Sequence, residues 1–458
     1  MAETTTTTTT TAPREADPAW VDGFSKLTKR ERRDWVAERY GDAPEELLLR
    51  WRGFDHADPD TQDRLDRFAE NTVANYVLPL GIAPNLVVNG RTYAVPMAIE
   101  ESSVVAAASA AAKYWGRRGG FAAEVVGTTK VGQLFFAWRG GDEARLRRAL
   151  PHLATELRAA SAATTRNMEA RGGGVRDLEL VTFAELPDTY ELRGTFETCD
   201  SMGANFINTV LEDWGRALPA AFAKTGLTDA DAPPTDADAP EVVMAILSNY
   251  TPECLVRAEV SCRVEEMGRG AGGFTAEQLA RRFHRAVELA RVSPYRATTH
   301  NKGIFNGIDA VVIATGNDFR AVEACAHAYA ARDGQYRSLS HCTLEDGLFR
   351  FWLEVPLALG TVGGLTRAHP LAASAIEVLG HPSARELMLV TAATGLAQNF
   401  AAVRSLVTTG IQAGHMRMHL GNILAQLGAD PDQRAAAERH FADKTVSVAG
   451  VRDWLAAH

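Results

Sequence analysis

An α+β protein of more than one compact unit is expected from this chain, and three observations carry the expectation. The 458 residues exceed one typical domain, and 46% apolar with 23% charged residues is ordinary globular composition. Helical and strand-like periodicities interleave, with a β-α-β-β-α-like order between about residues 127 and 248. Two β-branched runs in "NLVVNGRTYAVPMAI" are joined by Asn89-Gly90, the strongest short-range signal for a hairpin.

Taken in order, "MAETTTTTTTTAPREADP" has neither a basic n-region nor an apolar h-region, so residues 1–19 read as a low-complexity tail, not a signal peptide. "FSKLTKRERRDWVAERYG" and "DTQDRLDRFAENTVANYVLPLG" read as charged helices, the second broken at Pro79 and Gly81. After the hairpin, "SSVVAAASAAAKYW" is a Ser-capped, Ala-rich helix that follows Glu100 and Glu101. "GQLFFAW", "LELVTFAEL" and "TYELRGTFET" read as strands; "DEARLRRALPHLATELRAASAATTRNMEA" and "GANFINTVLEDWGRALPAAFA" read as helices. The Asp-, Ala- and Pro-rich stretch 227–241 is a surface loop or insertion. "EVVMAILSN" is a strand, a helix runs over about 275–291, "DAVVIATGND" (309–318) reads as an apolar strand, and "FRAVEACAHAYAARDG" as the helix after it. A last helical segment carries Met416, Leu420, Ile423 and Leu424 on one face.

The net charge of −9 supplies no general footprint for nucleic acid, although "KLTKRERR" (26–33) is a local basic run. No stretch reaches the roughly 18 apolar residues of a membrane helix. Cys199, Cys254, Cys262, Cys325 and Cys342 form no CxxC pair, which reads as a reduced, cytoplasmic protein.

Four clusters carry candidate chemistry: "AIEESS" (98–103), "RATTHNKGIFNGID" (296–309), "ATGND" (314–318) and "GHMRMH" (414–419). Lys302 lies in a polar stretch punctuated by Gly and Asn, too irregular for a simple solvated helix face. A lysine held beside a carboxylate stabilises a developing oxyanion. Asp318 reads equally as a helix N-cap, and Glu101 as a complement to a helix dipole. His415 and His419, four apart, have the spacing of zinc ligands but lack HExxH; packing is the commoner role at that spacing.

Together these segments resemble the hydroxymethylglutaryl-coenzyme A reductase family, its soluble bacterial class II branch in particular. The resemblance rests on "ENTVANYVLPLGIAPN", "VPMAIEESSVVAAAS", "GGGVRDLEL", "CDSMGANFINT", "ILSN", "PYRATTHNKGIFNGIDAVVIATGNDFRAVEACAHAYA", "GTVGGLTRAHPLA" and "GLAQNFAAVRSLVTTGIQAGHM". It implies a large substrate-binding domain (20–126 and 249–408) around a central helix, an inserted ferredoxin-like cofactor-binding domain (127–248), and a C-terminal flap (409–458). It also implies a homodimer with active sites at the subunit interface.

By the same resemblance the catalytic glutamate, lysine, aspartate and histidine fall on Glu101, Lys302, Asp318 and His415. Ser103, Arg296 and Asn306 match substrate-contacting or buttressing positions, and Asp200, Met202, Gly203, Asn205 and Asn249 match cofactor-contacting ones. The implied reaction is two-hydride reduction of hydroxymethylglutaryl-coenzyme A to mevalonate and coenzyme A in isoprenoid synthesis, without metal. Lys302 beside Asp318 would polarise the reacting oxygen, Glu101 with a raised pKa would act as acid in the second reduction, and His415 would protonate the departing thiolate.

"ENTVA" stands where the family more often reads "ENVIG", Ser25 sits near a position that often carries a basic coenzyme A contact, and Ser102 replaces a common proline. At the position that carries an aspartate in NAD-preferring relatives the chain has Thr165; Thr164, Thr165 and Arg166 in place of a carboxylate imply NADPH, with NADH the alternative. Three other readings stand beside the biosynthetic one: mevalonate oxidation with NAD, a non-catalytic acyl-coenzyme A or nucleotide-binding homologue, and a metalloenzyme using His415 and His419.

Overall fold

The computed structural model describes residues 20–139, 143–228, 239–268, 273–408, 410, 420–421, 423–441, 444 and 446–458. His415, Met416 and His419 lie outside the described residues, as do the tail 1–19 and most of the 227–241 stretch. The chain divides into two compact units, residues 1–78 and 79–458.

The first unit holds α1 (Lys29–Tyr40), α2 (Pro44–Arg52) and α3 (Pro59–Asp66). Thr28 and Glu31 close a capping box at the start of α1, and Asp58 caps α3 with Pro59 at its first position. The expected second helix is much shorter than its sequence pattern, because α3 ends at Asp66 and Asn71 takes a left-handed φ of 56°. Three cations of the basic run, Lys29, Arg32 and Arg33, are consumed internally. Lys29 pairs with Asp55 and Asp66 at 2.9 and 2.7 Å, Arg33 pairs with Asp55 at 2.6 Å, and Arg32 and Arg33 donate to the carbonyls of Thr72 and Val73. Those bonds hold the Asp55 carboxyl below its ordinary range, with the Arg33 bond the largest cause.

The second unit opens with the hairpin β1 (Leu80–Val88) and β2 (Arg91–Ala98). Asn89 at φ 49° and Gly90 at φ 82° supply the two left-handed residues of its turn. Then follow α4 (Ser102–Gly116), β3 (Ala122–Val125), β4 (Lys130–Ala137), α5 (Glu143–Ala160), α6 (Ala162–Glu169), β5 (Gly174–Phe183), β6 (Leu186–Glu197), α7 (Ala204–Lys224), β7 (Glu241–Ser248) and β8 (Leu255–Arg263). The chain continues through α8 (Ala276–Val292), α9 (Pro294–Ala314), α10 (Phe319–Ala330), β9 (Ser340–Glu345), β10 (Leu348–Pro356), α11 (Gly364–Ala368), α12 (Pro370–Val378) and α13 (Ala384–Leu406). Two short helices, α14 (Pro431–His440) and α15 (Val448–Ala457), end it.

Two antiparallel four-stranded sheets organise separate cores. The sheet ordered β5-β6-β4-β7 packs on α5 and α7 around Leu134, Phe136, Leu192, Phe196, Trp214 and Phe222. Strict burial alternation along β4 fits a sheet with one face against helices. Gly132 and Gly194 matter on that face: a Cβ at Gly132 would sit 2.7 Å from Ile207, and one at Gly194 2.9 Å from Trp214. The other sheet, β3-β8-β10-β9, belongs to a larger core with α4, α8, α9, α10 and α13. There Trp115, Phe283, Phe351 and Phe400 meet at centroid distances near 5.0 Å. Leu420, Ile423 and Leu424 do share a face, packing with Phe441, Val451 and Trp454 in a third, small cluster.

One sequence expectation is overturned. "DAVVIATGND" is not a strand: residues 309–314 are the last turns of α9, and "RATTHNKGIFNGID" forms its body. Val311, Val312 and Ile313 favour strand, but Ser293 caps the helix, Pro294 occupies its first position, and Gly316 at φ 69° follows its end. Its second half, residues 303–314, has no exposed residue where the helix packs among α13, α8 and β2, so no amphipathic period showed there in the sequence. Gly307 permits the approach, since a Cβ there would lie 2.8 Å from that of Gln398 on α13.

Candidate active site

A cavity of about 380 Å³ opens where α4, α9 and α13 converge, and it brings together Glu101, Ser103, Arg296, Lys302 and Asn306. Arg296, Thr299, Gly303 and Asn306 recur at helical spacing, placing one face of α9 along its wall.

Glu101 occupies the N-cap position of α4 in extended conformation, yet its carboxylate does not cap that helix. Ser103 Oγ donates to Oε1 at 2.8 Å, and Lys302 Nζ donates to Oε2 at 3.4 Å. The glutamate therefore faces the cavity and is not spent on the helix dipole. The Lys302 side chain is 65% exposed, so the ion pair contributes little to stability and its charge is available to a ligand. The Arg296 guanidinium is half-buried, burial pulls its pKa below the ordinary value, and it has no partner among the described residues. A carboxylate ligand would supply one.

Asp318 is placed differently from the expectation. It caps α10, accepting from the Arg320 and Ala321 N–H groups at 3.1 and 3.2 Å, and its carboxylate chelates the Arg320 guanidinium. Within this chain Lys302 pairs with Glu101, and no Lys302–Asp318 ion pair occurs among the described residues. The capping role of Asp318 is real, and it draws the carboxylate to its own helix.

Sequence reasoning did not single out His300, Gln398 and Asn399, which also line the cavity. The available signal was two adjacent amides on α13 amid Ala, Leu and Phe. His300 is 1% exposed, with Nε2 2.6 Å from Ser340 Oγ; that hydroxyl donates to Asn399 Oδ1 at 2.8 Å. The serine proton is thus committed, Nε2–H donates to Ser340, and Nδ1 is left bare and buried. Burial first, then the Arg296 charge, pulls the His300 pKa to about 3 from 6.5. His300 stays neutral in the fold while the unfolded chain takes up its proton, so its contribution is complete above about pH 6.5 and is lost as pH falls towards 3. Urea midpoints measured from pH 7 to pH 4 are expected to fall less steeply for His300→Gln than for the natural chain; equal slopes would refute the assignment.

The residues matched to cofactor contact lie around the β5-β6-β4-β7 sheet. Gly203, at φ 94°, begins α7; a Cβ there would come within 2.5 Å of Thr198, so glycine is required. No side chain caps α7, leaving its first N–H groups for an anion. Asp200 turns to α13 instead: Oδ1 accepts from Ala384 N–H at 2.8 Å, and its carbonyl accepts from Thr361 N–H at 2.9 Å. Met202 is half-buried and Asn205 exposed, and Asn249 is exposed just past β7, lining neither this cavity nor the one described below. Thr165 requires a correction. It is 2% exposed, with its hydroxyl towards the Ala162 carbonyl of its own helix, and a side chain so buried does not reach a nucleotide phosphate. Thr164 donates to Asp213 at 2.5 Å; Arg166 remains exposed. No group of three or more metal-ligating side chains and no helix long and apolar enough to cross a membrane occur among the described residues.

The hydroxymethylglutaryl-coenzyme A reductase model matches residues 28–420. A 3-hydroxy-3-methylglutaryl-coenzyme A reductase of Archaeoglobus fulgidus is 36% identical over 427 residues, covering 92% of this chain and 90% of that protein. The probable reductase of Borreliella burgdorferi is 32% identical, with 88% of each chain covered. Among solved structures, the Streptococcus pneumoniae reductase superposes with a TM-score of 0.68 at 34% identity, covering 95% of this chain and 99% of that one. A second structure from that organism, described as class II and bound to NADPH, gives 0.67 at 35% identity over 84% and 99%. Sequence match, relatives and superposition agree along nearly the whole length, and the chain belongs to the hydroxymethylglutaryl-coenzyme A reductase family.

Proposed function

We propose that the chain reduces hydroxymethylglutaryl-coenzyme A to mevalonate and free coenzyme A, consuming two NADPH and two protons. The observation that carries this reading is the meeting of Lys302, Glu101, Ser103, Arg296 and Asn306 in one cavity. Arg296, a half-buried cation without a partner among the described residues, holds the terminal carboxylate of the substrate. Lys302 donates to the thioester oxygen and then to the aldehyde oxygen as each gathers charge. Glu101, steadied by Ser103, delivers the proton that completes the alcohol. His415, outside the described residues, protonates the departing thiolate.

Reduced nicotinamide, when bound, supplies the hydride of each reduction. The β5-β6-β4-β7 sheet with α5 to α7 is the proposed dinucleotide platform, its α7 N-terminus, without a side-chain cap, fitting a pyrophosphate and Gly203 the close backbone approach. Arg166 is the exposed cation for a 2′-phosphate, which favours NADPH. We further propose a homodimer in which a second copy closes the cavity. In one chain Lys302 stays 65% exposed and Asp318 is held by Arg320, and oxyanion stabilisation needs water excluded. Tyr295, 92% exposed at the start of α9, suits such a surface.

The test follows NADPH absorbance and free thiol together after adding hydroxymethylglutaryl-coenzyme A. Two NADPH oxidised per thiol released is the expected result. Substrate binding without NADPH oxidation in the folded protein sinks the reading in favour of a non-catalytic homologue.

A further inference from the structure

A second cavity, of about 320 Å³, lies between the β5-β6-β4-β7 sheet and the start of α13. Its wall includes Lys130, Arg176, Glu197, Asp200 and Arg385. Lys130, the first residue of β4, is 4% exposed, yet it makes no hydrogen bond and no ion pair among the described residues. Its ammonium forms no direct ion pair with Glu197 or Asp200 among the described residues, which leaves its direct contacts to a ligand anion.

The two carboxylates nearby are already engaged. Glu197 accepts from Cys199 N–H at 2.8 Å through Oε1 and from the Thr128 hydroxyl through Oε2, while Asp200 Oδ1 accepts from Ala384 N–H at 2.8 Å. Arg176 and Arg385 are exposed at the mouth; Arg176 spends one nitrogen on the Gly172 carbonyl at 2.5 Å, and Arg385 has no partner among the described residues. Bonds from neutral donors leave both carboxylates charged, so three cations face two anions and the ionisable side chains of the wall sum to +1. The volume far exceeds what a halide needs, and ammonium and guanidinium groups at several angles match tetrahedral oxygens.

We propose that this cavity is a binding site for a phosphate-type oxyanion, with Lys130 at its floor and Arg176 and Arg385 at its mouth. The anion is either free in solution or the dinucleotide pyrophosphate, which then takes this cavity in place of the α7 N-terminus; only the second source rests on the reductase reading. Calorimetric titration with inorganic pyrophosphate at constant ionic strength tests the site without any turnover, so its failure leaves the proposed activity untouched. Saturable binding is expected, weakened about tenfold in Lys130→Met and in Arg385→Ala. Arg385 is exposed, so its variant keeps the test open should Lys130→Met fold poorly. Kinetics then separate the sources. Pyrophosphate competing with NADPH, with a raised NADPH KM and unchanged kcat in Arg385→Ala, identifies the dinucleotide phosphate; binding without competition identifies a separate anion. No saturable binding, together with an unchanged NADPH KM in both variants, overturns the proposal.

Discussion

Replacing Lys302 with alanine is expected to lower turnover of hydroxymethylglutaryl-coenzyme A by roughly 10²–10³-fold, the scale of removing one donor to a developing oxyanion. Its ammonium lies 3.4 Å from the Glu101 carboxylate and lines the cavity. Both hydride additions put negative charge on an oxygen, so losing the donor should slow reduction of the thioester and of the free aldehyde alike. The fold should tolerate the change, because the side chain is 65% exposed and the ion pair it gives up is worth little. An unaltered melting temperature with a collapsed kcat is the expected pair of results. A loss of less than about tenfold would mean that another group carries the charge. Lys302→Arg should rescue poorly, since a planar fork does not reproduce a compact point charge.

The readability of this chain varied with how one-sided each element is. Strands β4 and β6 and helix α7 have one buried face, so their periods showed and their assignments stand. The second half of helix α9 has no exposed residue, and its end was taken for a strand because β-branched residues outweighed a periodicity that burial on every side had erased. Strands β8 and β10, central in the β3-β8-β10-β9 sheet, were given no assignment: Arg257, Glu259, Arg350 and Glu354 pair on one face and interrupt the apolar run that marks a strand. Within the site, a residue whose side chain is not used to cap its own helix was legible, as with Glu101. Residues whose role depends on a three-dimensional partner were not. Nothing local in "THNKG" announces that His300 is locked to Ser340 and Asn399, or in "ATTRN" that Thr165 faces inward.

Glu101→Gln is expected to abolish most reduction of the free aldehyde, by about 10²–10⁴-fold, the range of a positioned general acid. The substitution keeps shape, and an amide oxygen still accepts from Ser103 where Oε1 does at 2.8 Å. It removes the transferable proton and puts an amide in place of the oxygen that Lys302 contacts at 3.4 Å. Two roles for Glu101 can therefore be told apart. If it only positions Lys302, the variant should impair both reductions equally and leave the shape of the pH profile unchanged. If it is the acid, the aldehyde step should fail more than formation of the thiohemiacetal, and the alkaline limb that reports its titration should vanish from what activity remains. His415→Ala supplies the contrast, since loss of a thiolate acid should slow the thioester reaction and spare the aldehyde. Opposite selectivity in the two variants assigns one proton to each residue; matching selectivity would place both protons on a single group and return Glu101 to an electrostatic role beside Lys302.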